Sequence, residues 1–480
     1  MKWMKLIGVL SLAAALCVPA AQAQNRDPRV NPPATPLPPL SPIESSSKSS
    51  GEKSVTNAPE PAPATPDTRP LSGVENFSLG GSRARSFLLP SFSFTQNGDT
   101  NGRTAAGSTV LDAASLLHGS LSFQRIWRRY QFNTSYGGGA TLYAKQTGLN
   151  TSFHDLSVSQ MIDWRRWKML LRDDFGYSPE AAFGGAGGAG ALGMVGELGG
   201  IMGSLNPLFA PSQTILTGRA SRISNTFVGE VQYNFSPRAS FTAAGSYAVL
   251  HFMDTGFVNS RDAMFHTGYN YGLSSKDTVA FIYGFSHTMF DGVNGAQDTH
   301  LAHVAYGRRI TGRLAFQVSA GPQIIQLNEL GLGSTRQVTW SLFSSLTYRL
   351  RRTEFGLSYL HGVTAGSGVF FGAESHYFNG SVNREFSRSW TGNWNFGYSR
   401  NGVLQNTISS GSPLNKINAW YTGAVVSRRI GRHTRMLFTY SLLRQNGNTA
   451  ICTAGSCGNI LLRHTFGVGF DWHPRPIEVD

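Results

Sequence analysis

Charge is scarce in this sequence: Asp, Glu, Lys and Arg make up 14% of 480 residues, against about 25% in an ordinary water-soluble domain. Much of the surface therefore does not face bulk water. Long apolar runs are missing as well. Beyond the N-terminus no stretch reaches the roughly 18 residues that a membrane-crossing helix needs, which argues against helical spans. Cysteine is nearly absent, at three residues. A surface that is neither wet nor made of apolar helices leaves the transmembrane β-barrel, the other structure that satisfies its backbone polar groups in lipid.

What is abundant fits that remainder. The chain carries 55 Gly, 30 Phe, 16 Tyr and 9 Trp. Its length exceeds one soluble core, so either several domains or one large closed sheet is expected. The net charge of +14 does not point to nucleic acid, because the arginines recur in pairs at tight turns and do not line one face.

Residues 1–23 read as a secretory signal: Lys2 and Lys5 supply the basic start, Leu6 to Val18 the apolar core, and Ala21-Gln22-Ala23 the cleavage site. Leu16, before Cys17, is too bulky for lipoprotein processing. Residues 24–72 are a different material, rich in Pro, Ser and Ala, with runs such as Asn31 to Pro39 and Ser45 to Ser50. This composition predicts a disordered periplasmic linker that buries too little apolar surface to order itself. Residues 73–480 are assigned to the barrel.

From about Phe87 the pattern has period two. In Tyr130-Gln131-Phe132-Asn133-Thr134-Ser135-Tyr136, and again around Phe227 to Phe235 and Leu314 to Gly321, large apolar residues alternate with small polar ones. Large residues outside and Gly, Ser, Thr, Asn and Gln inside invert the soluble β-sandwich. Eight tight turns divide the strands into hairpins: 128–129, 165–166, 236–238, 274–276, 308–312, 351–352, 387–389 and 428–433. With one strand before (about 86–96) and one after (about 460–472), the expected fold is all-β, an antiparallel up-and-down barrel of about 18 strands. Nine longer connections, among them 178–221 and 361–374, would form the outer loops. Trp127, Tyr130, Trp164, Trp167, Phe235, Phe241, Tyr348, Phe355, Phe386, Trp390 and Trp472 lie near the turns, where an interfacial aromatic girdle is expected.

Together with the last strand, Thr465-Phe466-Gly467-Val468-Gly469-Phe470-Asp471-Trp472, these features resemble the Gram-negative outer-membrane porin-like barrels. The resemblance implies the outer membrane of a Gram-negative bacterium, with outer-membrane lipids and the barrel assembly machinery as partners. Such chains usually end on the terminal aromatic strand, whereas here His473 to Asp480 follow it, so the assembly signal would be internal. Outward Gly138, Ala140 and Gly229 leave homo-oligomer formation open.

A ring of this size leaves an aqueous channel, so passive diffusion of small hydrophilic solutes is the expected function. A structural or surface-interaction barrel without an open pore, and a membrane hydrolase, are the alternatives. Parity places Asp155, Lys168, Arg172, Asp174, Glu230, Arg435, Arg463 and Asp471 inward as candidate pore-lining residues. Their mixed signs argue against strong ion selectivity. His154, Asp155, His376 and His464 are read as inner or loop positions without a catalytic motif, and no cofactor, metal or catalytic residue is assigned. The loop at 178–221 carries Leu192, Met194, Val195, Leu198, Ile201, Met202 and Leu205, too apolar for free exposure, and is expected to fold into the mouth. Its Gly185 to Gly190 matches a nucleotide-loop pattern by chance, with no βαβ unit around it. Cys452 and Cys457 are expected to form a disulfide in the last outer loop.

Overall fold

The computed structural model describes residues 71–72, 86–102, 110–180, 219–291, 295–329, 333–365, 368–404, 416–447 and 460–479. All of them belong to one compact unit, Pro59–Asp480. The signal sequence, most of the linker, the greater part of loop 178–221 with its glycine motif, and Cys452 and Cys457 lie outside the described residues.

The strands run β1 Phe87–Asp99, β2 Asp112–Ile126, β3 Tyr130–Tyr143, β4 Thr151–Asp163, β5 Trp167–Glu180, β6 Arg219–Ser236, β7 Ala239–Phe252, β8 Asn259–Gly272 and β9 Asp277–Asp291. They continue as β10 Gly295–Arg309, β11 Leu314–Glu329, β12 Gly333–Arg349, β13 Thr353–Thr364, β14 Ala373–Glu385, β15 Trp390–Val403, β16 Lys416–Arg429, β17 Thr434–Gly447, β18 Ile460–Trp472 and β19 Ile477–Glu478. Each of β1 to β18 pairs antiparallel with its neighbours in sequence, and β1 closes the ring on β18 from Phe92↔Trp472 to Asp99↔Thr465. This is a closed 18-strand antiparallel barrel, and all eight expected tight turns join the strands they were assigned to. No helix among the described residues is long and apolar enough to cross a membrane.

Closure follows from the alternation. One face of every strand is apolar and belongs against lipid, and a closed ring leaves no unpaired edge there. Phe281, Val338 and Trp420 on the outer face are more than half exposed, while inward Thr95, His303 and Ser375 are buried. At a rise of about 2.6 Å per residue along the axis, from a ~3.4 Å strand rise and ~40° tilt, the 13 residues of β1 span about 34 Å, enough for an apolar band of ~25 Å.

At the turn end the girdle is present, with Trp127, Trp167, Phe235, Phe386 and Trp472 exposed. Arginines stack on it: Arg125 lies 5.0 Å from the Trp127 ring, Arg428 5.4 Å from Trp390 and Arg384 5.7 Å from Phe386. Guanidinium groups over ring faces gain cation–π attraction and still reach headgroups or water.

The structure departs from expectation in three places. Strands run further toward the loop end than the alternation suggested, so the expected connection 322–336 shrinks to 330–332. Gly321-Pro322 reads as a break in the sequence, yet both residues lie inside β11. The pairing of β11 with β10 skips Ala302 and His303, opposite these two residues, because proline brings no N–H to the ladder. A Cβ on Gly321 would sit 1.8 Å from the Ala302 carbonyl oxygen, so only glycine allows this approach. Second, the residues after Trp472 continue the closing strand, since Ile477 and Glu478 pair with Leu88 and Phe87. Third, Leu71 and Ser72, the end of the expected linker, lie on the inner wall. Ser72 N–H donates to Asn270 Oδ1 (3.2 Å), and Asn270 Nδ2 donates to Ser72 Oγ (2.7 Å). Leu71 packs on Ala280, Ile282 and Ala305.

Candidate functional site: the barrel lumen and its outer mouth

Every expected pore-lining residue lies on the inner face, as the strand pairing and alternating exposure require. They do not form one constellation. Lys168 and Arg435 stand exposed near the turn end, and Asp155 and Glu230 are half-buried at mid-wall. Arg172 and Asp174 are buried and joined, Nε to Oδ2 at 2.7 Å. Arg463 is turned into the wall: its Nε donates to Asp99 Oδ1 (3.0 Å) and Nη2 to Asp99 Oδ2 (2.5 Å). Tyr143 Oη donates to the same carboxylate at 3.3 Å. Arg463 is on β18 and Asp99 on β1, so this buried pair fastens the seam where the barrel closes. Asp99 lies beyond residue 96, where the sequence alternation predicts the end of β1, so strand parity does not reach it.

His154, His376 and His464 face outward, not inward. Each hydrogen-bonds through Nδ1 to an outward tyrosine on the preceding strand: Tyr136 (2.9 Å), Tyr359 (3.0 Å) and Tyr440 (3.1 Å). Tyr283 and His300 make a fourth pair at 2.9 Å. All four tyrosines are the seventh residue of their strand, so the pairs sit at one height, about 16 Å above the turn end. Amphipathic tyrosine and histidine suit the boundary of the apolar band.

The wall from β7 to β13 holds a cavity of about 110 Å3 bordered by Asp262, His266, Gln297, His303, Ser341 and His361, among others. Thr288 Oγ1 donates to Asp262 Oδ1 at 2.8 Å. His303 Nδ1 lies 2.9 Å from Ser319 Oγ, and its Nε2 hydrogen-bonds Ser341. Both ring nitrogens thus meet serines, and neither meets a carboxylate. His266, His303 and Gln297 stand outside the charged inner positions that the sequence marks. Their parity opposite outward Phe265 and Val304 was the available signal.

Toward the loop end the inner wall changes character. The expected small polar face gives way to apolar clusters: Ile325, Leu327 and Leu404; Ala220, Leu250 and Phe252; Phe370, Ala373 and Ile417. The connection between β13 and β14 covers this rim. Gly368 O accepts from Val258 N at 2.9 Å, and Phe371 meets Phe290 edge-on with centroids 5.6 Å apart. Residues 368–372 therefore reach from β13 to the β7–β8 and β9–β10 end of the wall. Gly368 (φ +79°) and Gly372 (φ +84°) give the segment its bends. Most of loop 178–221, expected to fold into the mouth, lies outside the described residues; among those described, it is residues 368–372 that reach over this rim.

No protein-family model matches the sequence, and no curated protein matches it. Among solved structures, the chain is similar to Pseudomonas aeruginosa OccK2 (OpdF) in complex with glucuronate, with TM-score 0.42 and 8% identity over 81% of this chain and 98% of that one. It is also similar to the outer membrane protein opdK of the same organism (TM-score 0.39, 9% identity, 81% and 99% covered) and to its OprD (TM-score 0.39, 12% identity, 82% and 96% covered). Likeness at this level carries no inference about solute, and the resemblance to outer-membrane porin-like barrels stands on the chain's own architecture of a closed 18-strand ring, short turns at one end and an aromatic girdle beside them.

Proposed function

We propose that the protein is an outer-membrane channel for passive diffusion of small hydrophilic solutes, narrowed at its outer mouth. The observation that carries this reading is the closed ring of 18 strands with a mainly polar inner face. At ~4.8 Å strand spacing and ~40° tilt such a ring is about 35 Å across its backbone, more than side chains fill. Inner carboxylates and cations are few and largely neutralise each other, so neutral and weakly charged solutes should pass with little preference for ion sign. Outer-membrane lipids and the barrel assembly machinery are the partners this reading implies.

One observation favours a closed structural barrel instead: Ser375, Ser399 and Asn401 on the inner face have no exposed surface at all. A hydrolase gains no support from His303, the most serine-rich histidine site among the described residues, because no carboxylate orients its ring. Planar-bilayer recordings on the purified full-length protein separate the first two readings. Stable unitary steps, with near-equal reversal for cations and anions and block by a neutral sugar, are expected of the channel. Silent bilayers, with no swelling of proteoliposomes in sugar solutions, would leave the structural reading.

A further inference from the structure

His361 has a feature that neither fold nor pore explains. Its strand pairing places the side chain on the outer face of β13, yet it is only 1% exposed, and the Ser375 backbone beside it comes near without completing a well-formed hydrogen bond to Nδ1 or Nε2. Trp340 covers one side of the ring (centroids 4.1 Å) and His376 stacks on it at 4.3 Å. Glu374 Oε1 is 3.7 Å from His361 Nε2, too long for a hydrogen bond. A buried imidazole without a well-formed hydrogen bond at either nitrogen is uncommon, because each was hydrogen-bonded to water before folding.

We propose that His361, Glu374 and His376 form a binding site for one divalent transition-metal ion of the zinc class. A donor atom from each lies within 4.8 Å of the other two. The sheet sets this up. His361 and His376 are directly paired across β13 and β14, and Glu374 is two residues before His376 on the same face. One cross-strand neighbour and one i, i+2 neighbour make a triangle of donors on one side of an ion. The opposite side stays open toward the exterior, where Glu374 is 44% exposed. Two imidazoles and one carboxylate suit Zn2+, Ni2+ or Cu2+, and do not suit Mg2+ or Ca2+, which take oxygen.

The surroundings already orient one ligand. His376 Nδ1 is engaged by Tyr359 Oη at 3.0 Å, which leaves Nε2 as its free donor. A partner on the second ring nitrogen is the usual companion of a metal-bound histidine. Stacked rings do not aim their lone pairs at one point, so binding would require the His376 ring to tilt about its Nδ1 bond to Tyr359, which stays made. The three ligands flank the connection that carries Gly368, Phe370 and Phe371 across the outer mouth, and a bound ion would clamp its stem.

The test uses the folded full-length protein in detergent, stripped with chelator, titrated with Zn2+ by calorimetry and assayed for metal content after dialysis. One Zn2+ per chain is expected, with His361→Ala abolishing binding and Glu374→Gln weakening it about tenfold or more. Glu374 is at the surface, so the second variant keeps its fold and guards against misfolding of the first. His154→Ala removes an outward histidine with the same tyrosine pairing but outside the triad, and should bind like the parent. No stoichiometric zinc in the parent protein, or binding indifferent to Glu374→Gln, would overturn the site. These readouts do not depend on conductance, so they stand whether or not the barrel proves to be a channel.

Discussion

Arg463 reads as pore lining by parity and turns out to be seam hardware. Parity fixes a face but not a partner, and the partner, Asp99, is on β1 at the other end of the chain. Both side chains are buried, so removing one strands the other charge in a low-dielectric wall. Arg463→Met should therefore cost about 3–5 kcal/mol, whereas Arg463→Met with Asp99→Leu should recover most of the loss, since apolar replacement of a buried pair is often neutral. Urea unfolding of detergent-folded protein, followed by tryptophan fluorescence, measures both. Equal destabilisation in the single and double variants would remove the pair from the seam. The histidines make the same point differently: His154, His376 and His464 carry no hydropathy signal strong enough to place them. It is their outward tyrosine partners that do so.

At the scale of elements, the short turns were the most legible part, because a turn needs particular backbone chemistry and the Arg, Ser, Pro and Gly residues that supply it are local. Strand ends toward the loops were less legible. There the inner face becomes apolar, as at Ile325 and Leu327, and the period-two contrast fades because both faces carry hydrophobic residues. The β13–β14 connection shows what that apolar rim is for. Gly368 occupies φ +79°, and a Cβ there would meet the Phe252 ring at 2.2 Å. Gly368→Val is thus opposed by backbone strain of roughly 1–3 kcal/mol as well as by the collision. The segment should withdraw from Val258 and Phe252, and, on the proposed channel function, unitary conductance should rise. Unchanged conductance, in a variant folded as judged by its gel mobility and far-ultraviolet circular dichroism, would mean that this connection does not limit flow.

For the whole molecule, closure was legible because alternation puts one face of every strand against lipid, where no strand edge can be left unpaired. What occupies the interior was not, because the Pro-rich composition of 24–72 predicts lack of order and says nothing about where its end attaches. Leu71 and Ser72 contact β8 to β10 near their turn ends, roughly across the ring from β1, where the barrel strands begin. Two glycines make room for them: a Cβ on Gly268 would meet Ser72 Cβ at 2.3 Å, and one on Gly307 would meet Leu71 Cδ2 at 2.8 Å. Such a socket has a covalent test. In a background with Cys452→Ser and Cys457→Ser, the pair Ser72→Cys and Asn270→Cys should oxidise to an intramolecular disulfide, because these side chains are within hydrogen-bond reach. Ser72→Cys with Thr439→Cys places the second thiol on the inner face of β17, on another part of the wall, and should stay reduced. Intact-mass measurement after thiol alkylation distinguishes the two. Equal oxidation of both pairs would mean that the segment samples the lumen without docking, and the inner wall of β8 to β10 would then be free along its length for solute.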